Sequence, residues 1–204
     1  MRVGIVDYGM GNLRSVAGAV EKLGHTAEIS AGVDALGACD KLILPGVGAF
    51  GDAMANLAAR GLVDGLENLV RARGKKLLGI CLGAQLVARR SAEFGDTKGF
   101  GWVESDVARI DEGEGVRVPH VGWNRVRRTR DCVLFEGIPD DALFYFVHSY
   151  RIDTQDRDAV AGECDYGAPF AAVLEKGNVF GAQFHPEKSQ RHGLRLLANF
   201  LERA

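Results

Sequence analysis

The sequence contains a cysteine in a setting that suits a nucleophile. Residues 79–83 read GICLG, so Cys81 has one glycine two positions before it and another two positions after it. Small residues at these positions allow the sharp strand-to-helix turn that exposes a nucleophilic side chain. The N-terminus of the helix favours a thiolate, and the amide of Leu82 would point toward a developing oxyanion. Because the motif is short, a small buried cysteine without a catalytic function explains this segment equally well.

A second segment supplies the base that a thiol nucleophile requires. Residues 183–187 read QFHPE after an apolar run, which places His185 and Glu187 two residues apart. A nucleophilic thiol needs a base within hydrogen-bond reach, and a carboxylate orients that base. Alternate residues of an extended segment share a face, so both side chains can reach one site. His185 alone would be interpreted as a structural histidine, but the two segments together predict a triad of Cys81, His185 and Glu187.

The first half of the chain predicts the framework that positions the cysteine. Short apolar runs alternate with helical patterns, and this alternation predicts an α/β fold with an open, mainly parallel sheet and helices on both faces. Asn12 is a candidate cap of the first helix, and Gly24 a candidate stop. The predicted strands are 2–7, 27–30, 41–44 and 76–80, and the predicted helices are 13–23, 52–59, 62–73 and 82–90.

The second half predicts an additional β region that leads to the histidine. Gly177 and Asn178 form a hairpin turn signal between two of its strands. The chain then closes with an amphipathic helix over 189–203. No linker, repeat or low-complexity tract divides the sequence, so residues 1–204 are predicted to form one domain. The predicted strands are 107–110, 116–118, 133–135, 142–152, 159–164, 170–175 and 179–185.

Composition excludes several classes of function. The 204 residues have a net charge of −2, which gives no general electrostatic case for binding nucleic acid or an anionic membrane. No signal peptide and no apolar run of membrane-spanning length is found. The remaining cysteines, Cys39, Cys132 and Cys164, form no CxxC pair and are interpreted as structural, without a metal site or a disulfide framework. A reduced, cytoplasmic location is the simplest expectation.

These residues resemble a known family. Residues 79–85, GICLGAQ, together with HPE at 185–187, resemble the class I (triad) glutamine amidotransferases. More narrowly, the chain is similar to the HisH family, the glutaminase subunits of imidazole glycerol phosphate synthase. The resemblance implies a flavodoxin-like α/β fold. The stretches that match cover essentially the whole chain: VDYGMGNL at 6–13, LPGVGAF at 44–50, VPHVGWN at 118–124, YFVHSY at 145–150 and QFHPEKSQ at 183–190.

The resemblance implies a role for each matched residue. Cys81 is expected to attack the amide carbon of L-glutamine, forming a glutamyl thioester and releasing ammonia, while His185, held by Glu187, transfers the proton. The oxyanion hole is expected to use the amide of Leu82 and one from residues 45–48. No cofactor or metal is implied. Within that turn, Val47 and its neighbour Gly46 are the residues expected to contribute to the oxyanion hole. The residues expected to hold glutamine are Gly48, Gln85, Glu93, Ser149 and Tyr150.

The resemblance also implies a partner. It predicts an obligate heterodimer with a (β/α)8-barrel cyclase subunit, which uses the ammonia in histidine biosynthesis. In this family the turn at 45–48 can stay flipped until the partner's ligand is bound, and glycines on both sides of Val47 would permit that rotation. Activity is therefore expected to be low without the partner. The residues expected to face it are Tyr8, Asn12, His120, Trp123, Asn124, Tyr145 and Lys188.

Three alternatives remain at this level. Residues 89–93 and 95–102 depart from the common histidine-pathway form, and they resemble paralogous glutaminases that supply ammonia for amidation of surface-polysaccharide sugars. A non-catalytic regulatory protein would be expected to lack Cys81, His185 or Glu187, and all three are present. A related peptidase-like cysteine hydrolase is disfavoured by the HPE and VPHVGWN motifs. Ala84, where the family usually has methionine, is expected to affect the chemistry little.

Overall fold

The computed structural model describes all residues, 1–204, as an α/β fold. Its six α-helices are α1 (Leu13–Lys22), α2 (Val33–Gly37), α3 (Phe50–Ala59), α4 (Leu62–Glu67), α5 (Leu82–Leu86) and α6 (Gln190–Glu202). Its strands are β1 (Arg2–Val6), β2 (Thr26–Ser30), β3 (Lys41–Gly46), β4 (Leu77–Cys81), β5 (Arg90–Ser91), β6 (Thr97–Lys98), β7 (Asp106–Arg109), β8 (His120–Arg125), β9 (Arg127–Arg128), β10 (Leu143–His148), β11 (Tyr150–Asp153), β12 (Val160–Tyr166), β13 (Ala168–Lys176) and β14 (Val179–Ala182).

The first half of the chain forms the parallel part of the sheet. The strands lie in the order β2, β1, β3, β4 and β14, and each neighbouring pair is parallel. All residues of β4 and β14 are buried, as expected for central strands covered on both faces. The predicted fold class is therefore confirmed. Strands β4 and β14 are parallel neighbours. Cys81, at the end of β4, and His185, shortly after the end of β14, therefore lie at the same edge of the sheet.

Helices cover both faces of this sheet. Val16 and Val20 of α1 pack in one hydrophobic core with Leu197 and Phe200 of α6. A second core includes Leu36 of α2 and the buried leucines of α3 and α4. Each helix thus buries its apolar stripe against the sheet. No helix in the structure is both long enough and apolar enough to cross a membrane.

The second half of the chain extends the sheet and adds a separate ribbon. Strands β13, β11, β7, β5 and β6 continue the sheet beyond β14, while β12 pairs with β13 and β9 pairs with β12. Strands β8 and β10 pair only with each other, antiparallel. Alternation along this ribbon divides its side chains between two faces. His120, Phe144, Phe146 and His148 are buried, whereas Val121, Trp123 and Leu143 are exposed.

Several predicted elements differ in the structure. The predicted strand 133–135 is a 3-10 helix with Leu134 and Phe135 buried, and the predicted strand 116–118 makes only an isolated bridge at Val116. Short apolar runs do not distinguish strands from buried turns, which explains both errors. The helix predicted over 82–90 ends at Leu86, because Arg90 and Ser91 pair with β7.

Candidate active site

Cys81 lies at the sharp turn that its sequence predicts. It is the last residue of β4, and α5 begins at Leu82. Its backbone has φ 54° and ψ −111°, a conformation that a residue with a side chain rarely adopts. Strained backbone of this kind persists only where the surrounding structure holds it, and it is concentrated at functional sites. The elbow therefore places the thiol against a pocket at the carboxyl end of a central strand, although Cys81 itself is largely buried.

The glycines of the elbow are required by close packing. A Cβ atom on Gly83 would collide with the carbonyl oxygen of Leu44 in β3. A Cβ atom on Gly79 would lie 2.6 Å from the carbonyl carbon of Gly83 and 2.7 Å from the amide of Ala84. Because all these obstacles are backbone atoms, they cannot move aside as a flexible side chain could. The GxCxG spacing thus lets α5 pass directly over the ends of β3 and β4.

His185 and Glu187 form the ion pair expected of a base and its orienting carboxylate. His185 Nδ1 lies 2.8 Å from Glu187 Oε1, and the two side chains are 2% and 1% exposed. The carboxylate accepts the Nδ1 proton, which leaves Nε2 as the nitrogen that can take a proton from a substrate or thiol. Residues 186–188 form a 3-10 turn and not the extended segment that the sequence suggested, yet both side chains meet.

The environment of His185 favours its protonated form. Burial lowers the pKa of His185, but the interactions with Cys81 and Glu187 outweigh burial and raise that pKa to about 9. Nε2 is buried and has no hydrogen-bond partner within the chain. A histidine that holds a proton this firmly beside Cys81 is suited to pass that proton to a leaving group.

The triad cysteine and histidine share one pocket with the residues predicted to bind glutamine. The pocket has a volume of about 270 Å³, which suits a ligand of amino-acid size. Lys188 and the ribbon residue Val147 also border it. The remaining lining residues are Val47, Gly48, Cys81, Leu82, Gln85, Glu93, His148, Ser149, Tyr150 and His185. The structure thus places Leu82, Val47 and all five predicted glutamine contacts in one pocket with Cys81.

The turn after β3 lies beside the elbow. Gly46, the last residue of β3, is the register partner of Cys81. Val47 is 43% exposed, and Gly48 adopts φ +100°, which favours glycine. Neither Val47 nor Gly48 uses its backbone N–H or C=O in a hydrogen bond within the chain. An amide of this turn is therefore available to a ligand above Cys81.

A chain of hydrogen bonds supports the floor of the pocket. Gln85 Nε2 donates to the carbonyl of Tyr150 at 2.8 Å and to Gln183 Oε1 at 3.1 Å. Gln183 Nε2 in turn lies 4.0 Å from Cys81 Sγ. Glu93 Oε2 accepts a 2.7 Å hydrogen bond from the amide of Phe50, at the start of α3. Burial raises the pKa of Glu93, and this backbone hydrogen bond opposes that shift.

Two histidines at the pocket differ from their sequence predictions: His148, which borders the pocket, was given no role, and His120, which contacts His148, was expected to face a partner. His148 Nδ1 lies 2.8 Å from the carbonyl of Tyr150, and His148 Nε2 lies 3.0 Å from His120 Nδ1. The carbonyl can only accept, so His148 donates from Nδ1 and accepts at Nε2 from His120. Burial lowers the pKa of both histidines to about 4, and both are therefore neutral near pH 7.

The structure corrects two of the residues predicted to face a partner. Tyr8 is fully buried, and its hydroxyl donates to the carbonyl of Pro45 at 2.9 Å. His120 is 3% exposed and stacks on Tyr166, with ring centroids 3.9 Å apart. Neither side chain can contact a partner, because the sheet and the ribbon cover them. Of the others, Asn12, Trp123 and Lys188 are exposed, and Asn124 and Tyr145 are partly exposed.

Residues that the sequence reasoning missed include His148, Gln183 and Val147. All three lie inside motifs that the sequence analysis singles out, YFVHSY and QFHPE, so proximity to Ser149 and His185 was the available signal.

The remaining cysteines are free, and burial raises the pKa of Cys132 and of Cys164 to about 12. No group of three or more His, Cys, Asp or Glu side chains is arranged to bind a metal ion.

Comparisons with known proteins identify the family of this chain. The family model described as Glutamine amidotransferase class-I matches residues 4–204. The protein named imidazole glycerol phosphate synthase subunit HisH in Desulfitobacterium hafniense is 48% identical over 198 residues, covering 97% of this chain and 92% of that one. Its namesake in Methanocaldococcus jannaschii is 46% identical over 200 residues, covering 98% of each chain.

Solved structures show the same fold. The PurLQS structure from Thermotoga maritima aligns with a TM-score of 0.75 at 22% identity, covering 98% of this chain and 97% of that chain. A crystal structure described as a glutamine amidotransferase aligns with a TM-score of 0.74, also at 22% identity and with the same coverage. Because the family match and the HisH relatives span nearly the whole chain, elbow and triad included, this protein belongs to the class I glutamine amidotransferase family.

Proposed function

We propose that this chain is the glutaminase subunit of an imidazole glycerol phosphate synthase, with residues 1–204 acting as one amidotransferase domain. The observation that carries the proposal is the pocket in which Cys81, on a strained elbow, lies with a histidine already paired to a carboxylate. Relatives at 46% to 48% identity are named as the HisH subunit of that synthase. The proposed reaction is hydrolysis of L-glutamine to glutamate and ammonia.

The first half-reaction forms a glutamyl thioester. Cys81 Sγ attacks the side-chain carbonyl carbon of glutamine and a C–S bond forms, with the proton of the Cys81–His185 pair held on His185 Nε2. When the tetrahedral intermediate collapses, the C–N bond breaks and the proton moves from His185 to the departing nitrogen. Glu187 holds the imidazole in the required tautomer and stabilises its protonated form. Ammonia leaves, and the glutamyl group remains on Cys81.

The second half-reaction restores the enzyme. His185 takes a proton from a water molecule, which attacks the thioester carbon. The C–S bond then breaks, the thiolate of Cys81 is protonated by His185, and glutamate is released. In both steps the negative oxygen would be stabilised by the amides of Leu82 and Val47, which border the pocket. Gly46 would set the position of that turn, since it is the register partner of Cys81.

The rest of the pocket is suited to the polar backbone of glutamine. The Glu93 carboxylate can pair with the ammonium group. The glutamine carboxylate and side chain would be held around Gly48, Gln85, Ser149 and Tyr150, which border the same pocket. The hydrogen bonds of Gln85 to Tyr150 and Gln183 fix that side chain before substrate arrives. Such pre-ordering lowers the entropic cost of binding.

We propose that the exposed face of the ribbon docks the synthase partner. Val121 is 56% exposed, Trp123 45% and Leu143 43%, and Trp123 packs against Tyr145 with ring centroids 5.8 Å apart. Clustered exposed apolar and aromatic side chains are typical of protein interfaces. Val147 continues this face into the pocket, and its carbonyl lies 3.9 Å from Cys81 Sγ. A partner seated here would receive ammonia before it reached bulk water.

The partner we propose is a (β/α)8-barrel cyclase subunit, joined to this chain in an obligate heterodimer that works in the cytoplasm. Lys188 borders the pocket and Asn12 is exposed, so both suit the rim of the contact. A sugar-amidating paralogue would share the triad and the pocket. The names of the relatives favour the histidine pathway over that alternative. The intact triad disfavours a non-catalytic regulatory protein.

A complementation experiment tests the proposed pathway. The gene would be expressed in a histidine auxotroph that lacks only its own glutaminase subunit, together with a matched barrel subunit from the same source. The Cys81→Ala variant serves as the control. Growth without histidine that depends on Cys81 supports the proposal. Absence of growth with a folded, well-expressed pair would favour the sugar-amidating alternative.

A further inference from the structure

Tyr8 is a fully buried tyrosine next to the catalytic turn. It lies two residues beyond the end of β1, which pairs with β3 in parallel. Its hydroxyl donates to the carbonyl of Pro45 at 2.9 Å. Burial and the proximity of Cys81 raise the pKa of Tyr8, so the hydroxyl stays protonated and can only serve as a neutral donor or acceptor. The bond therefore fixes the direction of the Pro45 carbonyl.

The hydroxyl also limits the space around Gly46. A Cβ atom on Gly46 would collide with Tyr8 Oη and would lie 2.9 Å from Leu82 Cβ and 3.0 Å from the amide of Gly83. The end of β3 is thus held between the tyrosine on one side and the nucleophile elbow on the other. The Pro45–Gly46 peptide cannot rotate without breaking the bond to Tyr8.

The two residues after Gly46 are not held by backbone hydrogen bonds. The backbone polar groups of Val47 and Gly48 make no hydrogen bonds within the chain. The amide of Phe50 is then held by Glu93 at 2.7 Å. The carbonyl of Ala49 also accepts a hydrogen bond from the amide of Ala53 at 3.1 Å. Residues 47 and 48 are therefore suspended between two fixed points, the Tyr8 bond at Pro45 and the start of α3.

We propose that Tyr8 is a positioning residue for the oxyanion hole. Its hydroxyl fixes the Pro45–Gly46 peptide, so that peptide rotation is confined to the residues around Val47 and the Val47 amide is delivered above Cys81. This inference rests on the proposed glutaminase function. It assigns Tyr8 no contact with glutamine, because the side chain is fully buried and does not border the pocket.

The role predicts a specific kinetic signature. Tyr8→Phe removes only the hydroxyl and leaves the Pro45 carbonyl without its donor. The oxyanion amide would then be less well oriented, whereas the groups that hold the glutamine backbone are unchanged. Loss of a whole oxyanion donor costs about 10²- to 10³-fold in kcat. Loss of its positioning is expected to cost less, about 10-fold in kcat, with KM changed less than about twofold.

Tyr166→Phe is a matched control. The hydroxyl of Tyr166 also donates to a backbone carbonyl, that of Arg117, at 2.8 Å, but it does not border the pocket. Both variants lose one tyrosine–carbonyl hydrogen bond, so both are expected to unfold at a slightly lower temperature. Only Tyr8→Phe is expected to lose kcat. If Tyr8→Phe proves too unstable, the measurement would be repeated on a double variant that also carries Gly18→Ala. Gly18 is an exposed helical position with open space around it, so this second substitution is expected to stabilise the fold.

The experiment compares both variants with the unaltered chain in the complex with the barrel subunit. Glutamine turnover gives kcat and KM, and the rate of Cys81 alkylation is measured with iodoacetamide and with a diazoketone analogue of glutamine. Iodoacetamide needs no oxyanion hole, whereas the analogue presents a carbonyl to it. Tyr8→Phe is expected to retain the first rate and to lose about 10-fold in the second.

Two results would overturn the assignment. One is a Tyr8→Phe complex with unchanged kcat. The other is an equal fall in both alkylation rates, which would indicate damage to Cys81 and not to the turn. Failure of the proposed function gives a different result, because the unaltered complex would then release no ammonia from glutamine, and the assignment of Tyr8 would fall with that function.

Discussion

Gly46 and Cys81 are register partners at the carboxyl ends of two neighbouring parallel strands. The turn that follows Gly46 and the elbow at Cys81 therefore begin side by side. Sheet register therefore brings Cys81 and the candidate oxyanion donors together. Stability of this strand end and activity of the enzyme should consequently depend on the same close packing.

The elbow glycines provide the first prediction. Gly83→Ala is expected to destabilise the fold by more than about 3 kcal/mol, because its Cβ atom would collide with the carbonyl oxygen of Leu44. Gly18→Ala, on the exposed side of α1 with nothing within 4 Å of the new Cβ atom, is the control. It is expected to stabilise by about 0.5 to 1 kcal/mol. Denaturant unfolding measures both, and similar effects for the two variants would contradict this account of the elbow.

The buried histidines predict how stability depends on pH. The pKa of His185 is raised to about 9, so its stabilising contribution is present below about pH 6.5 and is lost as pH rises through 9. The pKa values of His120 and His148 are lowered to about 4, so stability is lost as pH falls from 6.5 toward 4. The free energy of unfolding is therefore expected to be greatest near pH 6.5.

Single substitutions separate the two sides of that pH profile. His148→Asn keeps a donor for the Tyr150 carbonyl but cannot be protonated, and it is expected to reduce the loss of stability on the acid side, to which His120 still contributes. His185→Gln is expected to flatten the alkaline side. His192→Asn, at a partly exposed position near the start of α6, should leave the profile unchanged. The profile is measured as the denaturant midpoint of unfolding between pH 4 and 10. A profile of the same shape in all variants would refute the assignment of its two sides to His148 and His185.

The exposed ribbon face predicts where binding energy lies. Trp123→Ala is expected to weaken the complex with the barrel subunit by about 2 kcal/mol or more, about 30-fold in Kd, as truncation of a central aromatic residue does. Phe94→Ala is the control, because Phe94 is 90% exposed but lies outside the ribbon, between β5 and β6. Calorimetric titration measures both. Equal weakening, or none in Trp123→Ala, would place the interface elsewhere.

Sequence patterns predicted the parallel half of the fold and singled out the segments that carry Cys81 and the His185–Glu187 pair, because each segment is recognisable from its local spacing. The apolar runs, the GxCxG motif and the HPE motif each determine their own segment. Burial of Tyr8 could not be predicted, since a tyrosine in a glycine-rich turn is exposed unless neighbouring strands and α5 cover it. His120 was misplaced for a related reason. Pro119 and Gly122 hide the alternation of β8, which turns His120 inward and Val121 and Trp123 outward.

The central claim is that Cys81 is the nucleophile of a glutaminase that works with a partner. The most direct measurement treats the complex with the barrel subunit and its ligand with a diazoketone analogue of glutamine, followed by peptide mass spectrometry. We expect one label per chain, located on Cys81, with loss of ammonia release in proportion to labelling and protection by glutamine. Labelling of Cys39, Cys132 or Cys164 instead, or full labelling of Cys81 with ammonia release unchanged, would contradict the claim.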